Sequence, residues 1–463
     1  MKHKFLTGIL SLAVALSLLS VSACTTVGDH DPTIDTNDPI VTPGTPDDET
    51  PSGDNEKPDN DSPSGDNENP DDDTPSGDNE KPDNDSPSGD NENPGDDTPE
   101  PEPEPQGQLT FTANADETAC TVTGIGTWTG SELTIPAVYE GLPVTAIGER
   151  AFFEQEITAV TLPESLTEIG DLAFAHCYDL TAIVIPEGVA RIGVQAFRNC
   201  DRLTDVTLPS TLTDIQPDAF HCANIQNVYI ADLAAWCNIQ FGEAYANPLL
   251  DAEHLYIDGE QVTDLVIPDG VTEIPYVAFR GFAAITSVTL PDSVQKIGYQ
   301  AFYGCENLTS VMIGNGVQEI DNMAFYICRR LSDLTLGNSI QTIGADAFLE
   351  NGITTLVFPE SLQTIGGGAF MNCNDLTSVI LQNGIKTIEA GAFRSCEKLQ
   401  QFIIPESVTT VGHDAFTGCS ALTSLRFART DNWLEGTCPV DVSDPAYNAE
   451  RMKIDHGTFT RAV

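Results

Sequence analysis

One sentence of 22–23 residues is written ten times in this chain, approximately Leu-Thr-x-Val-x-Leu-Pro-x-x-Val-x-x-Ile-Gly-x-x-Ala-Phe-x-x-Cys-x-x. Full copies begin at Ile157, Leu180, Leu203, Val262, Ile285, Leu308, Leu331, Ile353, Leu376 and Leu399. A degenerate copy precedes them from Leu133 to Phe152, and a truncated one opens at Leu422. A period this short requires a solenoid, because a single unit cannot bury its apolar face and stacked neighbours must do it.

One copy shows how a coil closes. In Ile157 to Asp179, Val160 and Leu162 lie on one face of a short strand, and Pro163 ends it because proline has no N–H to donate. Leu166 and Ile169 point inward along a second extended piece, and Gly170 marks the next corner. Pro275 and Glu389 occupy the equivalent corner, so a positive φ is not required there. Ala173-Phe174 then drives a ring into the core. Eleven such Ala-Phe pairs occur, from Phe152 to Phe416, and rings placed at every coil read as core rather than as ligand contacts.

Cysteines follow the same register at Cys177, Cys200, Cys222, Cys305, Cys328, Cys373, Cys396 and Cys419. Coils about 4.8 Å apart bring equivalent Cα atoms within disulfide range, but their side chains run parallel rather than toward each other. The position also accepts Gln155, Phe282 and Asn351, so the expectation is buried free thiols. A zinc site is not expected, since the column lacks C-x-x-C pairs and the seven histidines are scattered.

The two ends of the plan are an export signal and a cap. Lys2, His3 and Lys4 precede an apolar stretch from Phe5 to Leu19, which is shorter than the roughly 20 residues of a membrane span. Val21-Ser22-Ala23-Cys24 follows with small residues suited to cleavage. From Asp29 to Gly107, 27 acidic residues face only Lys57 and Lys81, with almost no apolar content. Such a tract cannot offset the entropy of ordering and reads as a stalk, about 240 Å long if fully extended at ~3.1 Å per residue. Pro-Ser-Gly-Asp-Asn-Glu recurs there at Pro51, Pro63, Pro75 and Pro87, but no segment matches an EF-hand loop. From Gln108 on, 44 acidic and 16 basic residues leave a net charge of −28. That excludes nucleic acid and anionic lipid as partners and favours basic proteins, neutral glycans or divalent cations. Gln108 to Gly130 reads as an N-terminal cap, with alternating Leu109, Phe111 and Ala113, a turn at Asn114-Ala115-Asp116 and a second strand from Cys120.

Two resemblances now follow from these residues. Cys24 after Ser22-Ala23 resembles a bacterial lipobox, which implies diacylglyceryl transfer to its sulfur and a lipid anchor on the outer leaflet. The unit Thr-x-Ile-Gly-x-x-Ala-Phe-x-x-Cys resembles the BspA-like leucine-rich repeat of bacterial surface proteins over residues 108–463. That resemblance implies an α/β repeat solenoid, a right-handed leucine-rich-repeat superhelix that is strand-rich with short helical turns. It also implies adhesion to a host or bacterial partner, and no catalytic residues. The Asn ladder of animal leucine-rich repeats is missing, and the Cys/Phe register stands in its place.

The expected organisation is a lipoprotein signal peptide at 1–23, a lipid-anchored acidic linker at 24–107 and a cap with a degenerate repeat at 108–156. The solenoid follows at 157–421 with an insertion at 225–261, then a truncated repeat and C-terminal cap at 422–463. No H-E-x-x-H, G-x-S-x-G, Walker loop or dinucleotide fingerprint occurs, so neither an enzyme nor a cofactor is expected. The two residues flanking each inward strand residue should face outward. Along that face Met312, Val357, Ile380 and Ile403 form a candidate binding surface, more apolar than solvation alone would suggest. In the insertion, Ala231 to Ile239 reads as a short helix and Asp258-Gly259 as a turn, with Trp236, Phe241 and Tyr245 as candidate contacts. Packing of Trp236 against the coils is the weightier reading there. The expected protein is a monomeric surface lipoprotein presenting this scaffold to an extracellular protein or glycan. The alternative is an accessory envelope component that meets another bacterial protein.

Overall fold

The computed structural model describes residues 107–221, 223–250, 252–454 and 456–462, all within the compact unit Gly95–Val463. The expected signal peptide, Cys24, the acidic tract before Gly107 and Cys222 lie outside the described residues.

Each coil contributes two short strands, as in Ala159–Thr161 and Glu168–Ile169. The first pairs in parallel from coil to coil, as Asp205–Leu208 does with Ala182–Val184 on one side and Asn227–Ile230 on the other. The second builds its own parallel ladder, Ile169 beside Ile192 and Ile192 beside Ile215. Within Ala182–Val184 the middle residue is buried and both neighbours are exposed, so the outward face is the one expected from alternation.

No helix lies inside a repeat, which corrects the expectation of short helical turns. Among the described residues the helices are Leu233–Trp236 and the 3-10 turn Ala244–Ala246 in the insertion, and Pro445–Met452 near the C-terminus. The fold is thus a strand-rich repeat solenoid. The reason lies in the backbone hydrogen bonds around each Phe. The N–H groups of Leu172, Phe174 and His176 each donate at 2.8 Å to the next coil, while those of Ala173 and Ala175 close local turns. Sending alternate N–H groups outward puts Leu172 at φ 57° and His176 at φ 63°, so no helical run remains. The corner glycine has another role. A Cβ on Gly170 would come within 2.6 Å of the Ile147 carbonyl oxygen, so close approach favours glycine there, not its φ.

The rings form the expected column. All eleven are buried, and successive rings stack at 5.0–5.7 Å with interplanar angles of 4–17°. The described column cysteines are free and buried. Each thiol donates to the carbonyl of the Phe one coil back, Cys177 to Phe152 at 3.1 Å and Cys328 to Phe302 at 3.1 Å. Where Asn351 replaces cysteine, its amide donates to Phe325 at 2.8 Å. The column is therefore a ladder of side-chain donors, and burial pushes the thiols of Cys177 and Cys373 up to about 12.

The first ladder is interrupted in three places outside the insertion. It breaks after Ala159–Thr161, Asp333–Thr335 and Ser378–Ile380, and beside each break the inward residue (Val160, Leu334 or Val379) is only half-buried. The middle break falls where Ile353 follows Leu331 by 22 residues instead of 23. The second ladder runs unbroken from Glu273–Ile274 to Thr410–Val411, which keeps the coils stacked.

The insertion divides both ladders. Its helix is one turn, Leu233–Trp236, shorter than Ala231 to Ile239, and Asp232 caps it by accepting from the Ala235 N–H at 2.7 Å. Asp258 and Gly259, at φ 52° and 81°, make the tight turn between His254–Ile257 and Glu260–Gln261. Side chains then replace the missing ladder donors. The indole N–H of Trp236 donates to Ala278 at 3.2 Å, and the Asn247 amide donates to Val277 at 2.7 Å and Ala278 at 3.1 Å.

Both ends are closed by antiparallel strands. Thr110–Ala113 folds back on Cys120–Gly124, which pairs with the first coil. At the far end Phe459–Arg461 runs antiparallel to Thr410–Val411 and Trp433–Glu435. Helix Pro445–Met452 sits against the last long strand, where Asn448 donates to Leu425 at 3.1 Å.

Candidate binding surfaces

The outward face of the first ladder carries two columns of side chains. The first is small and polar, with Asp264, Ser287 and Ser310 paired in register and followed by Asp333. The second runs Val266, Thr289, Met312 and Thr335 on the paired strands, and continues through Val357, Ile380 and Ile403. Met312 is 56% exposed, Val357 59%, Ile380 50% and Ile403 53%, and Val266, outside the expected set, reaches 61%. No segment of the described chain covers them. Val266 was open to the same alternation argument but lies just past the insertion, away from the clustered aliphatics.

Charge near this stripe is mixed: Arg426 pairs in register with Ile403 at its C-terminal end, Arg329 bridges Glu350 at 3.0 Å, and Lys398 bridges Asp375. From Leu331 to Ile385 the chain has Asp333, Asp346, Glu350, Glu360 and Asp375 and not one lysine or arginine. Beyond the middle break an opening of about 400 Å³ bares Leu334 and Leu336 beside Val357 and Glu360. In the N-terminal half the same column turns aromatic, with Tyr229 stacked on Tyr256 at 4.9 Å. Burial, and Asp205 within 3.3 Å of its hydroxyl, hold Tyr229 above the usual tyrosine range.

The three insertion residues divide between core and surface. Trp236 is 1% exposed and fills the gap in the ring column before Phe279, while Phe241 is 7% exposed and packs against Trp236 at 5.3 Å. These two belong to the core. Tyr245 is 47% exposed and stacks on His221 at 4.3 Å. Asn247, which seats the insertion, was not singled out from the sequence, because a buried amide has no periodic signature.

Among the described residues no helix is long and apolar enough to cross a membrane. A family model described as the BspA type leucine rich repeat region matches in six copies, over residues 132–241, 253–376 and 341–437. No curated protein matches the chain. Among solved structures, a leucine rich cell surface protein from Faecalibacterium prausnitzii is 28% identical, with 72% of this chain and 96% of that one covered and a TM-score of 0.43. A leucine-rich repeat protein from Bacteroides ovatus is 23% identical, covering 69% and 88% of the two chains with a TM-score of 0.42. Another from Eubacterium ventriosum is 18% identical, covering 66% and 91% with a TM-score of 0.36.

Proposed function

The chain belongs to the BspA-type leucine-rich-repeat family, whose repeat is an interaction scaffold rather than a catalyst, and on that premise we propose that it is an adhesive lipoprotein of the bacterial cell surface. The signal peptide at 1–23 directs export, acylated Cys24 holds the chain to the membrane's outer leaflet, and the acidic linker 24–107 lifts the repeats away from it. Several acyl chains anchor stably where one does not. The coils wind right-handed, as parallel strands joined by crossovers within one sheet almost always do. The solenoid acts as a monomer. Its ligand is an extracellular protein or glycan.

The observation that carries this reading is the exposed aliphatic stripe, with Met312, Val357, Ile380 and Ile403 each half exposed or more on one sheet face. Contiguous exposed apolar surface marks interaction sites on soluble domains. The net charge of −28 from Gln108 on favours a basic protein partner and repels anionic ones. The test compares the intact chain with the Val357→Asp/Ile380→Asp variant for capture of immobilised basic matrix proteins and of proteins from an envelope extract. Matrix capture that falls about tenfold in the variant supports adhesion. Capture of an envelope protein alone supports the accessory role instead. Equal capture by both chains removes the sheet face as the site.

A further inference from the structure

An opening unconnected with the sheet face lies beside the insertion. It is a groove of about 750 Å³ between the segment around Tyr245 and the corners of the next two coils. Its floor is built by omission. Two residues after the column Phe, other coils carry His176, Asn199, Ile327 or Glu350, whereas these two adjacent coils carry Gly281 and Gly304, a choice repeated at Gly418 in the last coil. Ala283 and Ala284 continue the bare floor. A Cβ added at Gly304 would meet nothing within 4 Å, because it would stand in the groove.

Two aromatic walls bound it. Tyr245 is backed by His221 at 4.3 Å and an interplanar angle of 15°, and Tyr303 is backed by Tyr326 at 5.0 Å and 10°. Arg280 covers the second face of Tyr303, so Tyr245, held from behind, is the open plate on which a ligand stacks at little entropic cost. The polar rim carries the carboxylates of Glu253 and Glu306 and the guanidinium of Arg280, while the Asn307 amide donates to the Ala283 carbonyl at 3.0 Å and accepts from Arg330 at 3.1 Å. Arg280 lies 4.3 Å above the Tyr303 ring, donates to Gln300, and leaves its Nε without a partner.

We infer that this groove binds a neutral oligosaccharide. A pyranose ring offers polarised C–H groups to an aromatic face and hydroxyls to carboxylates, amides and guanidinium. The groove presents both kinds of group. Two rim carboxylates on a domain of net charge −28 repel anionic sugars. The site is separate from the aliphatic stripe and does not depend on it.

The intact chain is screened against immobilised neutral gluco-, manno- and galacto-oligosaccharides, with sialylated and sulfated glycans alongside, and the strongest neutral ligand is then titrated by calorimetry. Tyr245→Ala removes one wall. Gly304→Asn places in the groove a side chain that Asn199 and Asn372 carry at the same position in their own coils, so it is compatible with the fold. Each is expected to weaken binding at least about tenfold, while Val357→Asp/Ile380→Asp leaves it unchanged. The inference is overturned if the intact chain binds no neutral glycan or binds only anionic ones. It is equally overturned if Gly304→Asn binds as the parent does, or if the sheet-face pair alone abolishes binding.

Discussion

Replacing Phe325 by alanine tests the column where it is most regular. The ring is fully buried and stacks on Phe302 at 5.0 Å and Phe348 at 5.1 Å. Truncating a buried Phe costs about 3–5 kcal/mol in lost transfer energy and residual cavity. Two stacked neighbours lose contact together, each stack being worth about 0.5–1.5 kcal/mol beyond area, which favours the upper half of that range. Collapse cannot relieve the cavity, because the unbroken second ladder fixes the spacing of the coils. With an unfolding entropy near 2.1 cal/mol/K per residue, about 350 ordered residues give ~0.7 kcal/mol/K, so a loss of ~4 kcal/mol lowers Tm by about 5–6 °C. The weakened interface also lies in mid-array, so the transition should broaden as the two flanks melt less cooperatively. Scanning calorimetry reads both effects. A fall below about 2 °C, or one matched by the exposed-strand control Thr335→Ala, would refute the reasoning.

The remaining predictions concern the thiols, the backbone, the insertion and the anchor. Iodoacetamide at pH 8 should label Cys438 and spare the nine buried cysteines among the ten described, since burial denies the reagent access to their sulfur; mass spectrometry showing labelled Cys328 in native protein would contradict this. The thiols of Cys177, Cys237 and Cys373 lie at about 12 in the fold against an ordinary 9.0. Stability should therefore be fully present below pH 9 and be lost as pH rises toward 12, with Tm level from pH 7 to 8.5. Ile327, a β-branched residue at φ 58°, occupies a position filled by Gly304 one coil earlier; Ile327→Gly should raise stability by about 1 kcal/mol in urea unfolding, and a loss would show that its side chain outweighs the strain. Asn247→Leu should cost about 2–3 kcal/mol by orphaning the buried Leu249 N–H, which donates to the Asn247 amide oxygen at 2.8 Å, and by removing one donor each from the Val277 and Ala278 carbonyls, and an unchanged urea midpoint would mean water replaces it. Cys24→Ala should release the chain from the membrane fraction, and equal membrane recovery would dispose of the anchor.

Whatever repeats was legible before any coordinates. The Phe column, the parallel thiols, the outward strand positions and the Asp258-Gly259 turn all follow from side-chain period and turn chemistry. Leu172, Val277 and Ile327 at positive φ carry no local sign, because the usual Gly or Asn is absent and inter-coil hydrogen bonds override propensity. The short helical turns implied by the family resemblance give way in the described repeats to these inter-coil hydrogen bonds. The seating of the insertion by Trp236 and Asn247 was equally hidden, since it replaces ladder donors that only the stacked neighbour defines. The groove beside Tyr245 depends on what Gly281 and Gly304 leave out, and a missing side chain is silent in a pattern built on apolar period.

Hydroxyl-radical footprinting of the native chain reads side-chain exposure residue by residue and bears on everything above. Met312 and Tyr245 should oxidise readily, while Phe302, Phe325 and Phe348 stay unmodified until the chain is denatured. Native oxidation of those rings at a rate comparable to Met312, or a protected Met312, would contradict a structure that keeps its aromatics inside and offers its aliphatic face to a partner.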